Sequence, residues 1–153
     1  MRTRPVIAVI GSGLEDETLN ALAEQTGELI AGAGCVLING GLGGVMAASA
    51  KGAKSKGGLT IGLLPGLDPA AANQYIDVPV PTGLGEMRNL LIVRSAAAVI
   101  AIGGGYGTLS EIALALKASK PVVGLQTWDV SPDIQKAADA FDAVRLALSA
   151  LKP

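Results

Sequence analysis

Between Gly103 and Glu111 the chain reads GGGYGTLSE, with glycine at 103, 104, 105 and 107, then Thr108, Ser110 and Glu111. A glycine has no Cβ, so backbone N–H groups in such a loop can approach an anion closely, and the N-terminus of a following helix adds a favourable dipole. A carboxylate at that terminus faces whatever the loop holds. The same residues also have a purely local reading. Thr108-Leu-Ser-Glu111 has the spacing of a capping box, in which the Thr and Glu side chains satisfy the first N–H groups of a helix. Both readings stay open on spacing alone. Arg88, in GEMRN, falls in the first turn of an expected helix, where a cation opposes the positive end of the helix dipole. A bound anion would reverse that penalty; a solvated pair with Glu86 is the alternative. Arg94 lies near the end of the same helix, where a cation suits the dipole, and is read as structural.

Two further glycine clusters follow apolar runs: Gly11, Ser12 and Gly13, and then Gly40, Gly41, Gly43 and Gly44 in GGLGG. In an open parallel sheet the loops at the carboxyl ends of the strands gather on one edge, where ligands bind. Three glycine loops on one edge would make a pocket floored by backbone. Tight strand-to-helix turns also use glycine, which is the bland account of any one cluster. Tyr106, inside the third loop, either flanks a ring of the ligand or stands in solvent. Lys51, Lys54 and Lys56 read as the solvated end of a helix.

Much chemistry is excluded. The chain has no histidine, so a Ser-His-Asp triad, imidazole acid–base catalysis and a His-containing zinc site are all ruled out, and no metal site is expected. GSGLED lacks the third glycine of the dinucleotide fingerprint, Asn39 stands where a ribose-binding acid belongs, and no G-x-x-x-x-G-K-[ST] occurs.

The elements that must position these residues can be read from periodicity. Short β-branched runs alternate with amphipathic stretches, the pattern of a parallel sheet covered by helices. Strands are expected at Val6–Ile10, Cys35–Ile38, Leu59–Leu64, Ile76–Val80, Ala98–Ile102 and, last, Pro121–Leu125. The prolines around Ile76–Val80 place that strand near an edge or an end. Helices are expected over Leu19 to Ile30, Val45 to Lys56, Met87 to Ser95 and Leu109 to Ala118. The tail from about Pro132 carries Ile134, Ala138, Phe141, Arg145 and Leu148 at helical spacing. With 153 residues and no repeat, low-complexity tract or linker, residues 1–153 are one domain. The fold class is α/β: a single-domain, doubly wound, Rossmann-like parallel sheet of five to seven strands with helices on both faces.

Half of the residues are hydrophobic, 16% are charged, and 12 basic residues nearly balance 13 acidic ones. That balance argues against a nucleic acid polymer as partner. Two positive charges precede the first apolar run, which ends in Gly-Ser-Gly, short of a signal-peptide core of ~7–15 residues. No apolar span of ~18 residues follows, so no membrane partner is expected and the localisation is read as cytoplasmic. Cys35 is alone, so no intrachain disulfide forms.

VIAIGGGYGTLSEIALALKASKPVVGL, preceded by GEMRNLLIVRSAAA, resembles the family that holds the LOG-type cytokinin-activating phosphoribohydrolases, formerly labelled lysine decarboxylases, and the molybdenum cofactor carrier proteins. VIGSG, INGGLGGVMAASAKGA and GGLTIGLLPG match its other segments in order. The hydrolase branch has Pro-Gly-Gly-x-Gly-Thr-x-x-Glu and an upstream Arg-Lys pair; here Gly103 replaces the proline and Asn89 follows Arg88, departures that resemble the carrier branch. The resemblance implies a protein that binds a phosphorylated pterin or nucleotide, with Gly104, Gly105, Gly107 and Thr108 on the phosphate and molybdenum cofactor as cargo. It implies, as the alternative, a hydrolase releasing base from nucleoside 5′-monophosphates, with Arg88 and Glu111 catalytic and no cofactor required. A nucleotide-sensing module without turnover is a third possibility. A homodimer or homotetramer is expected from the likeness.

Overall fold

The computed structural model describes residues 3–151; Met1, Arg2, Lys152 and Pro153 lie outside the described residues, with Arg2 among the leading charges read from the sequence. Seven strands, β1 (Val6–Gly11), β2 (Val36–Asn39), β3 (Thr60–Leu64), β4 (Val78–Pro81), β5 (Ala98–Ile102), β6 (Val122–Leu125) and β7 (Ile134–Lys136), form one sheet in the order β4-β3-β2-β1-β5-β6-β7. Every pairing is parallel. The strand order reverses between β1 and β5, the switch point of a doubly wound α/β sheet, where a crevice opens outside the carboxyl ends of the strands.

Helices α1 (Glu17–Gly32), α2 (Val45–Ser55) and α5 (Ala140–Ser149) cover one face, and α3 (Arg88–Ser95) and α4 (Tyr106–Lys117) the other. The central strands are buried on both sides, which is why they read as unbroken β-branched runs. Successive residues of β1 alternate between the layers: Ile7 and Val9 pack towards α1, α2 and α5, Ala8 and Ile10 towards α3 and α4. Asp16 caps α1, its carboxylate accepting from the Leu19 N–H at 3.0 Å. Helices α1 and α2 touch at backbone level: a Cβ on Gly27 would lie 1.9 Å from the Ser49 carbonyl oxygen, and one on Gly52 1.9 Å from that of Glu24. Small residues there allow an approach that any side chain would block.

The C-terminal tail differs from its sequence reading. Ile134 is not on a helix; it opens β7, paired with Val122 of β6, so Pro121–Leu125 is the penultimate strand. The last helix starts only at Ala140, where Asp139 caps it by accepting from the Asp142 N–H at 2.8 Å. The apolar spacing from Ile134 through Phe141 straddles a strand and a turn, and so mimicked a helical period. The buried face of α5 is Ala140, Ala143, Val144 and Ala147, and Phe141 is 64% exposed. Helix α4 also begins one turn earlier than expected. Strand β4, with Pro79 and Pro81, is an edge strand, and β7 is the other edge. Among the described residues no helix is long and apolar enough to cross a membrane.

Candidate functional site

A cavity of about 480 Å³ lies at the switch point. Its walls come from the loop after β1 (Gly11, Ser12, Gly13, Leu14), from the first turn of α3 with the 3-10 turn before it (Glu86, Arg88, Asn89), and from the start of α4 (Gly105, Tyr106, Gly107, Thr108, Ser110, Glu111), with Met46 of α2 at the floor. Residues far apart in the chain meet there because β1 and β5 are neighbours in the sheet.

The capping-box reading of GGGYGTLSE is not what forms. Gly105 is the N-cap of α4 and makes no side-chain cap, so Thr108 and Glu111 lie inside the helix, both buried. The first N–H groups of α4 therefore have no side-chain acceptor at the cap and are free for an external one. The turn into α4 requires glycine at 104. Gly104, at φ 104°, carries the Thr108 hydroxyl where its own Cβ would be, the two 2.1 Å apart. The loop closes onto the helix there, and no room is left for a residue with a side chain.

Arg88 sits 48 residues along the chain from Gly40 and reaches it across the pocket: its Nη2 donates to the Gly40 carbonyl at 3.4 Å, and its Nη1 donates to Asn89 Oδ1. Its Nε is buried with no partner. Among the described residues no carboxylate pairs with it, so the solvated pair with Glu86 is not formed. Burial pushes the guanidinium pKa down, while Glu111 and Glu86 pull it back up. An arginine stays charged all the same, so this is a cation in search of an anion. Glu111 is perturbed in the complementary way: burial raises its carboxyl from 4.5 to about 8, against the pull of Arg88. Burial thus favours the protonated acid over the carboxylate at neutral pH.

Of the residues singled out in the sequence, Gly11, Ser12, Gly13, Arg88, Gly105, Tyr106, Gly107, Thr108 and Glu111 line this cavity. The others stand behind it. Gly40 underlies the Arg88 guanidinium, Gly41 packs on Gly62 and Leu64, and Gly43 and Gly44 pack on the Ser12–Leu14 loop. Gly103 packs on Leu19, and Gly104 on Thr108. Among the described residues no cluster of three or more His, Cys, Asp or Glu side chains could hold a metal ion.

The sequence model of the SLOG cluster4 family matches residues 4–149. The chain belongs to the SLOG cluster4 family. This SLOG cluster4 chain is similar in structure to the molybdenum cofactor binding protein from the phototrophic bacterium Rippkaea orientalis (38% identity, TM-score 0.94, 99% of this chain and 100% of that one). It is also similar to the molybdenum cofactor carrier protein from Chlamydomonas reinhardtii (38% identity, TM-score 0.90, 97% and 99%). An uncharacterized protein of Archaeoglobus fulgidus is 55% identical over 120 residues, 78% of this chain and 79% of that protein.

Two residues that shape this SLOG cluster4 chain's cavity carry little signal in the sequence. Asn89 accepts from Arg88 and offers its amide to Ser110 Oγ at 3.4 Å, so it bridges the two walls. Glu15 accepts from the Gly44 N–H at 3.2 Å and from Asn20 Nδ2 at 2.8 Å, fastening the second glycine loop to the first. Only the position of Asn89, next to Arg88, carried a signal for its role. Nothing in the residues around Glu15 distinguishes it from a solvated acid.

Proposed function

We propose that this SLOG cluster4 protein binds and carries a phosphorylated pterin-type ligand, the molybdenum cofactor, by its phosphate. The observation that carries the reading is Arg88, a half-buried cation without a carboxylate partner and with an unpartnered Nε, in the same cavity as the open N-terminus of α4. A phosphate there would meet a guanidinium, helix N–H groups and the Thr108 hydroxyl. The extent of the likeness to carrier proteins, over nearly the whole of both chains, supports the same ligand class. The protein's donors suit a grip on the phosphate and not on the metal. Its only cysteine, Cys35, is buried before β2, at the opposite end of the strands from the cavity, so no thiolate reaches the cargo.

The alternative, cleavage of a nucleoside 5′-monophosphate, is kept in view by Arg88 and Glu111 sharing one cavity. A cleavage step needs a carboxylate to orient and deprotonate water while the glycosidic bond breaks. Glu111 is protonated at neutral pH, and a dianionic phosphate beside it would hold the proton harder. A carboxyl raised by burial could equally protonate a leaving base, so the preference for carriage rests on the unpaired Arg88 and on the likeness to carrier proteins. The test is to incubate the protein with molybdenum cofactor released from a molybdoenzyme, remove free ligand, and measure bound molybdenum and the fluorescence of the oxidised pterin. Retention of both, lost in Arg88→Ala, is expected. No retention, together with base release from AMP that Glu111→Gln abolishes, would overturn carriage in favour of hydrolysis.

A further inference from the structure

We infer that Tyr106 and Trp128 form a two-ring platform that takes the planar heteroaromatic ring of the ligand whose phosphate α4 holds. The inference rests on the phosphate reading of the cavity and extends it to the rest of the molecule bound. The chain has only four aromatic residues, one Trp, two Tyr and one Phe, and two of the four stack where Tyr106 lines this cavity. Their rings stack with centroids 6.2 Å apart and planes 24° from parallel, the offset arrangement that aromatic pairs favour. Tyr106 is nevertheless 84% exposed. It lines the cavity, whereas Trp128 lines a neighbouring one of about 280 Å³ and packs partly on the α3/α4 core. Tyr106 thus stands between Trp128 and the site, with ring surface left uncovered.

The pair is fixed to the phosphate-binding loop. Trp128 Nε1 donates to the carbonyl of Gly105, the N-cap of α4, at 3.0 Å, and Thr127 Oγ1 donates to the Gly103 carbonyl at 2.6 Å. Just before them Gln126 takes φ 48°, a left-handed conformation unusual for a residue with a side chain. The loop after β6 is therefore turned sharply and pinned on both sides of the glycine loop. An exposed tyrosine needs no such support to sit in solvent. A stacking surface does, because a ring held in place loses little freedom when a second ring lands on it. Every purine or pterin has a π-face, so the platform selects for a ring without reading its edge.

Trp128 is the chain's one tryptophan, so its emission reports on the platform directly. The experiment titrates the protein with AMP, with a pterin monophosphate and with ribose 5-phosphate, following tryptophan fluorescence and, by calorimetry, affinity. At least one ring-bearing ligand should quench Trp128 and bind more tightly than ribose 5-phosphate, by roughly 5- to 150-fold. Tyr106→Ala should erase that advantage and leave ribose 5-phosphate affinity unchanged, while Tyr106→Phe retains it. Equal affinity of all three ligands for the unmodified protein would overturn the platform and leave the phosphate site standing; so would a Tyr106→Ala variant that weakens ribose 5-phosphate as much as the ring-bearing ligands. No binding of any of the three would overturn both readings at once.

Discussion

Replacing Glu111 by Gln is expected to stabilise the protein at pH 8 and to leave it little changed at pH 5. The carboxyl ionises near 4.5 in an unfolded chain but only at about 8 in the folded one, because it is buried and the Arg88 charge offsets only part of that burial. Between those values the folded state holds a proton that the unfolded state has released, so folding stability falls as pH rises. The slope approaches about 1.4 kcal/mol per pH unit, and the total from pH 5 to pH 8 is on the order of 4 kcal/mol. A neutral amide of similar shape pays no such penalty. The protein is well suited to the measurement, because it has no histidine to titrate in the same window. The lowered carboxyls of Asp77 and Asp142 act below it and the raised thiol of Cys35 above it. Urea unfolding at half-unit steps from pH 5 to pH 8 gives the two curves. They should diverge steadily, with Glu111→Gln the flatter. Parallel curves would refute the assignment of a protonated Glu111.

The same proton governs the ligand: phosphate affinity should fall severalfold as pH rises through about 8 and a negative charge appears beside the phosphate, a decline that isothermal titration should not find in Glu111→Gln. Arg88→Ala should weaken phosphate binding by roughly 10- to 100-fold, as loss of a charge-assisted contact does, with a melting temperature within a few degrees of the parent; a collapse in melting temperature would make Arg88 structural. Gly44→Ala should cost about 2 kcal/mol or more, since Gly44 has φ 62° and an added Cβ would lie 2.3 Å from the Ser12 carbonyl oxygen; thermal denaturation reads this directly. Asp16→Ala removes the α1 cap and should cost on the order of 1 kcal/mol in the same assay.

The layered architecture was legible because its cause is local. β1, β5 and β6 are buried on both faces, and that requirement writes itself as runs such as VIAVI and AVIAI. Arg88 was legible for the opposite reason, since its place at a helix start contradicts the dipole and asks for an explanation. The chain could not announce β7, whose three residues are too few to establish an alternating pattern, nor the true start of α4. Thr108 and Glu111 have the spacing of a cap, but the helix is already formed at Gly105, whose carbonyl accepts from the Leu109 N–H at 3.0 Å, so both lie inside it. Glu15 and Asn89 were missed because their roles exist only in the folded chain, where Glu15 ties the loop after β1 to the loop after β2 and Asn89 joins the start of α3 to that of α4.

Both margins of the sheet are poor templates. On one side β4 has four residues of which two are proline, and on the other β7 has three, ending in Lys136 with Asp129 paired to it at 2.6 Å. A passing strand from another molecule would find too short a ladder to hold, and proline and lysine at an edge discourage such pairing further. Growth of the sheet from molecule to molecule, the first step towards fibres, is thereby blocked at both ends, even though half of the residues are hydrophobic. Any association between copies of this chain is expected through helices and loops rather than through the sheet margins.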